Sequence, residues 1–136
     1  MKDRTFACSP IVTGSANGPA LVSDEAVCFY LVEPETGIVV EQDHSLYGKS
    51  MEGTVLVAHG GKGSSVVQMD GLFKIVTRKK GPAAVILRNP DPVFVSALLV
   101  MELPSVYNVD EAFYDYIRDG MKITIHGDGQ TVSVEE

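Results

Sequence analysis

Hydrophobic positions along the chain fall into short runs broken by glycine, proline and small polar residues. Runs of that length punctuated in that way predict strands and turns more often than helices. Residues 11–13 and 19–22 flank a turn-rich stretch containing Gly14, Asn17 and Gly18, which predicts a hairpin or a strand corner. Residues 27–32 predict a strand, and Pro34-Glu35-Thr36-Gly37 predicts a turn in which Gly37 takes a positive φ. Residues 38–40 predict a further strand, and the polar stretch 43–50 predicts a loop. Residues 54–58 and 83–87 are apolar, β-rich and bounded by glycine or proline, which predicts buried strands. Residues 122–125 and 131–134 alternate around Gly127-Asp128-Gly129, a hairpin signal.

Two longer segments carry helical periodicity. Val66, Met69, Leu72, Phe73 and Val76 recur at spacings of three and four and predict an amphipathic helix with that stripe inward. Arg78, Lys79 and Lys80 suit its C-terminal dipole, Gly81-Pro82 ends it, and Gly71 inside it costs about 1 kcal/mol relative to alanine. Asp91 and Pro92 supply an N-cap and a first-turn proline for a second helix over 93–101, which is apolar nearly all round and so predicted mostly buried. Asp110 begins a third, short helix through Arg118, and residues 103–107 form an extended piece. The pattern describes a β-dominant α/β chain with about three helices, organised as one domain over residues 1–136.

Composition narrows the function classes. Of 136 residues, 45% are hydrophobic and 21% charged, enough apolar content to build a core and exclude whole-chain disorder. No apolar run approaches the roughly 20 residues that span a bilayer, and Met1 to Thr5 lead into no secretory h-region. A net charge of −7 disfavours general binding to nucleic acid or anionic membrane. Cys8 and Cys28 form no CxxC pair and no metal-ligand cluster with the three histidines, so two reduced thiols in a cytoplasmic protein are expected and no metal site.

The sharpest chemical signal is Gly60-Gly61-Lys62-Gly63-Ser64-Ser65, between a predicted buried strand and a predicted helix. Glycines let the backbone turn tightly, and the free N–H groups of a helix N-terminus favour a carboxylate, a phosphate or a developing alkoxide. Lys62 adds a charge. The order Lys-Gly-Ser-Ser is not that of a Walker A loop. A serine here also suits a plain N-cap. His44, in a loop, could face the site or simply be solvated. His59 borders the glycine loop, His126 lies in a terminal turn, Glu33 and Glu35 bracket Pro34, and Arg88 follows a buried strand, where it could bind an anion or pair with an acid.

Four blocks taken together resemble one family. They are Phe29-Tyr30 followed by Glu33 to Ile38, then His44 to Ser50, then Gly61 to Ser65, then Gly81 to Ile86. In this order and spacing the chain is similar, from about Ile11 to Val134, to the small subunit or swivel domain of aconitase X enzymes. The resemblance implies a swivelling β/β/α domain that docks on a large partner subunit carrying an iron–sulfur cluster, with no cofactor bound by this chain. It implies a hydro-lyase that removes water from a hydroxy acid, either 5-phosphomevalonate or, as the alternative, cis-3-hydroxy-L-proline. By position, Ser64 is then the catalytic base, Gly61, Lys62 and Gly63 shape the anion-binding turn, Ser65 supports it, and His44 and the Pro34–Gly37 turn are further site candidates. Two positions depart from the wider pattern. Leu31-Val32-Glu33 replaces a longer, glycine-containing stretch, and Val66 stands where an arginine binds substrate carboxylate in aconitases. The altered loop motivates a second hypothesis, a non-catalytic interaction or regulatory module; a stand-alone anion-binding protein is a third.

Overall fold

A computed structural model describes residues 3–135; Met1, Lys2 and Glu136, the ends of the expected 1–136 domain, lie outside the described residues. Eight strands are linked in the order β1-β8-β7-β3-β4-β5-β6-β2. They are β1 (Asp3–Ala7), β2 (Ser9–Val12), β3 (Ala16–Val22), β4 (Val55–Ala58), β5 (Ala84–Leu87), β6 (Ser105–Tyr107), β7 (Lys122–Ile125) and β8 (Thr131–Glu135). The helices are α1 (Ser65–Thr77), α2 (Pro92–Met101) and α3 (Ala112–Tyr116).

β3 belongs to two sheets. Its first half, Ala16 to Pro19, pairs antiparallel with β7, and Ala20 to Val22 pair parallel with β4. The proline at this switch has no N–H to offer either ladder. The chain thereby folds into two sheet layers and a helical layer, the β/β/α arrangement the resemblance implies. Side-chain alternation divides the core accordingly. Val55, Val57, Ala84 and Ile86 face the β1-β8-β7 layer and α3, packing with Phe6, Phe113, Ile123 and Val134. Leu56, Ala58, Val85 and Leu87 face α1 and α2, packing with Leu72, Ile75, Phe94 and Leu98. Every residue of β4 and β5 is buried, which is why both read as continuous apolar runs.

Several expectations change in three dimensions. The 14–18 stretch is a corner and not a hairpin, because β2 pairs with β6 while β3 pairs with β4 and β7. Residues 27–32 are not a strand. Val27 forms a single bridge to Gly61, Phe29–Leu31 is a 3₁₀ turn, and Val32 bridges Val39. Residues 38–40 likewise make only isolated bridges. The strand β1 went unread in the sequence; it pairs with β8 at the far end of the chain. α3 stops at Tyr116 and not Arg118, because Ile117 turns extended and is buried.

α1 turns inward only part of the predicted stripe: Leu72 is in the core and Met69 and Val76 pack against it. Its buried residues are Gln68, Gly71, Leu72 and Ile75, whereas Val66 and Phe73 are exposed. The inward face is centred on Gly71, Leu72 and Ile75, and close packing fixes that orientation. A Cβ on Gly71 would lie 2.8 Å from the Phe29 backbone, so the 29–31 turn can press against the helix only at this glycine. α2 is also less buried than predicted. Phe94, Ala97 and Leu98 face the sheet, but Leu99 and Val100 are exposed.

Candidate active site at the glycine turn

β4 ends at Ala58 and α1 begins at Ser65, so residues 59–64 form the whole connection at the C-terminal edge of the parallel strands. Open α/β sheets bind ligands at this edge. The turn is tied down by backbone bonds to Val27: its N–H donates to Gly60 O (3.0 Å), and Lys62 N–H donates to Val27 O (3.0 Å).

Two glycines in the turn are required by geometry. Gly63 has φ +103°, strained for any side chain. Gly61 has no room for a Cβ, which would lie 2.1 Å from Gln68 Oε1 and 3.1 Å from the Phe94 ring. Gln68, on the first turn of α1 and 5% exposed, donates through Nε2 to Gly63 O at 3.1 Å. Its Oε1 is buried and finds no partner among the described residues. Asp91 approaches from the other side. Its Oδ1 accepts from Phe94 N–H (2.9 Å) as the α2 N-cap, and its Oδ2 takes Gly61 N–H at 3.4 Å.

Ser64 is the α1 N-cap. Its Oγ accepts from Val67 N–H at 3.3 Å, and its carbonyl accepts from Gln68 N–H at 3.0 Å. The side chain is solvent-exposed. The cap bond leaves the hydroxyl proton free to go elsewhere. The Ser65 and Val66 N–H groups precede the first intrahelical acceptors, so they and the helix dipole are available to negative charge at this end. A serine anion formed here would keep the Val67 bond and strengthen it.

The turn is less cationic than its lysine suggests. Lys62 Nζ is bound to Glu41 Oε2, and this bond holds the ammonium pKa above its ordinary value. The glycine turn therefore offers helix N–H groups first and a compensated charge second. His44 is buried and fully engaged with backbone. Its Nδ1 accepts from Leu46 N–H (3.0 Å), which assigns the proton to Nε2, and that nitrogen donates to Ala26 O (2.9 Å). It braces the 41–48 loop beside the turn and presents no free nitrogen.

Gly61, Lys62, Gly63, Ser64 and Ser65 are thus together by chain continuity, with His44 behind them. The Pro34–Gly37 turn is not near them. Glu35 pairs with Arg78 (3.1 Å) at the opposite end of α1, about 20 Å away along a helix of 13 residues. Arg88 pairs with Glu111 at 2.8 Å and lies over the Tyr114 ring at 4.1 Å. His59 and His126 are exposed, and His126 bonds Ser133 Oγ (2.8 Å). Cys8 and Cys28 are free thiols. Sequence reasoning missed Gln68, Asp91 as a tie to Gly61, and Glu41. A polar residue four positions after Ser64, in line with Leu72 and Ile75, was the available signal for Gln68.

A sequence profile described as the aconitase X swivel domain matches residues 5–134. The chain belongs to that family. It is 37% identical over 118 residues to the phosphomevalonate dehydratase small subunit of Methanocella arvoryzae, covering 86% of this chain and 89% of that one. The same subunit of Methanothrix thermoacetophila is 37% identical, with 87% and 85% covered. A chain of the Thermococcus kodakaraensis aconitase X holo-form crystal structure superposes with a TM-score of 0.87 at 29% identity, over 98% of this chain and 99% of that one. The fold described above is thus shared with that chain. Among the described residues no helix is long and apolar enough to cross a membrane.

Proposed function

We propose that this chain is the small subunit of a cytoplasmic phosphomevalonate dehydratase, active only with a large partner subunit, and that Ser64 is its general base. The observation that carries the reading is Ser64 Oγ at the N-terminus of α1, exposed and already accepting the Val67 N–H bond. The small-subunit relatives supply the substrate class and the expectation of a partner.

Dehydration breaks a C–H bond beside the carboxylate and a C–O bond on the next carbon. The electron pair of the broken C–H bond becomes the new double bond, and the departing hydroxide takes a proton from solvent and leaves as water. Ser64 Oγ takes the first proton, with Val67 N–H and the first-turn N–H groups stabilising its anionic form. Gln68 and Asp91 hold the turn in register from opposite sides. Among the described residues no three His, Cys, Asp or Glu side chains gather into a metal site. An iron–sulfur cluster held by the large subunit would supply Lewis-acid polarisation of the departing hydroxyl.

The test is reconstitution with the large subunit of the same organism under anaerobic conditions. The pair is offered 5-phosphomevalonate and cis-3-hydroxy-L-proline separately, and loss of water is followed by mass spectrometry. Dehydration of the phosphorylated acid alone is expected. Turnover of hydroxyproline alone would move the chain to the alternative substrate, and an assembled pair inert toward both would overturn the dehydratase reading.

A further inference from the structure

A groove of about 530 Å³ runs along the helical layer from Ser65, lined by Val66, Met69 and Phe73 of α1 and Val100 and Met101 of α2. Val66 is 67% exposed, Phe73 49% and Val100 62%. Isolated apolar residues on a surface need no explanation, but a contiguous set across two packed helices marks an interaction site. At its edge Asp70 accepts the Tyr30 hydroxyl (2.8 Å) and pairs with Lys74 (3.3 Å). An apolar centre with a polar rim is the anatomy of a protein–protein interface. This surface also accounts for the apolar residues of α1 and α2 that were expected inward and are exposed, since each helix keeps apolar side chains that the chain itself does not cover.

We infer that this groove is where the large subunit docks, an inference that rests on the proposed function. Continuity selects the occupant. Ser65 lines the groove and Ser64 precedes it, so a partner that brings substrate to Ser64 Oγ lies over the turn and runs directly onto Val66 and Met69. Charge argues against a second copy of this chain, which would bring a net −7 toward −7. The fitting surface is an apolar ridge that inserts between α1 and α2. Tyr30 stands beside it, tied to its rim through Asp70.

The test measures affinity for the large subunit of the same organism by titration calorimetry, using full-length wild type and the variants Phe73→Asp and Val100→Asp. Gln130→Asp, in the exposed β7–β8 turn on the other layer, is the control. Both groove positions are about half exposed or more, so the fold tolerates the charge, and circular dichroism verifies it; Val100→Ser is the milder variant should either aspartate unfold the chain. The groove variants are expected to weaken assembly about 100-fold or more, with Gln130→Asp within about twofold of wild type. Wild-type affinity in the folded groove variants overturns the docking site while leaving the dehydratase reading intact. A small-subunit dimer abolished by Phe73→Asp overturns the choice of partner. A pair that assembles through the groove but dehydrates neither acid supports the docking site and overturns the dehydratase reading alone.

Discussion

Replacing Gly61 by alanine tests the architecture of the turn directly. The new methyl would lie 2.1 Å from Gln68 Oε1 and 2.8 Å from its Cδ, with the Phe94 ring at 3.1 Å. The backbone at Gly61 has no positive φ, so strain comes from packing alone. Gln68 is the far end of a side chain and could swing away, but it is buried and its Nε2 holds Gly63 O. Overpacking of this kind costs about 1–3 kcal/mol. Gln68→Ala alone removes the bond to Gly63, an exposed residue whose carbonyl water can then reach, a loss of about 0.5–1.5 kcal/mol. The double variant has space for the methyl where the amide was, so its loss should fall short of the sum by about 1 kcal/mol or more. The residual Phe94 contact keeps the rescue incomplete. Urea unfolding followed by circular dichroism gives the four stabilities, provided the slope with urea is unchanged. Losses that add within about 0.3 kcal/mol, or a neutral Gly61→Ala, would refute the contact between Gln68 and Gly61 as the reason for the glycine.

Glu41→Ala should cost about 1 kcal/mol, because Lys62 stays largely open to water although Glu41 is mostly buried; it should also lower the Lys62 pKa toward its ordinary value, measurable by NMR titration. Asp91→Ala should cost about 1–2 kcal/mol through the α2 cap and should loosen the glycine turn, seen as faster amide exchange at Gly61. Burial, with a smaller push from Asp128, raises the Cys8 thiol pKa to about 11. Its folded pKa exceeds its unfolded one, so its contribution to stability is complete below the unfolded thiol pKa and is lost as pH climbs toward 11. Alkylation of Cys8 in the folded chain should accordingly be slow near neutrality and accelerate toward that pH; fast reaction at pH 8 would contradict its burial.

The local elements were legible in the sequence where a short-range rule decides them. The strand, glycine turn and capped helix from Val55 to Thr77 follow from apolar run length, glycine content and a serine at the N-cap, and the β7–β8 hairpin follows from alternation around two glycines. Elements set by distant partners were not. β1 exists because β8 pairs with it from the other end of the chain, and nothing within residues 3–7 announces that ladder. Periodicity places Met69, Leu72 and Val76 inward on α1, but the rotation that exposes Val66 and Phe73 is set by the contact at Gly71 with the 29–31 turn. The candidate site divides in the same way. Gly61 to Ser65 were readable as a continuous motif, whereas the Lys62–Glu41 bond joins positions 21 apart and the backbone partners of His44 come from packing. Each of those two contacts takes a side chain that looks free in the sequence and commits it elsewhere.

The most direct measurement is kcat of the reconstituted complex carrying Ser64→Gly. Glycine is an acceptable N-cap, so stability should fall by only a few tenths of a kcal/mol and assembly with the large subunit should persist. Loss of the hydroxyl should still lower kcat by about 100-fold or more if Ser64 Oγ takes the substrate proton. A complex that assembles and turns over at the wild-type rate would contradict that role and leave Ser64 as the cap of α1 alone.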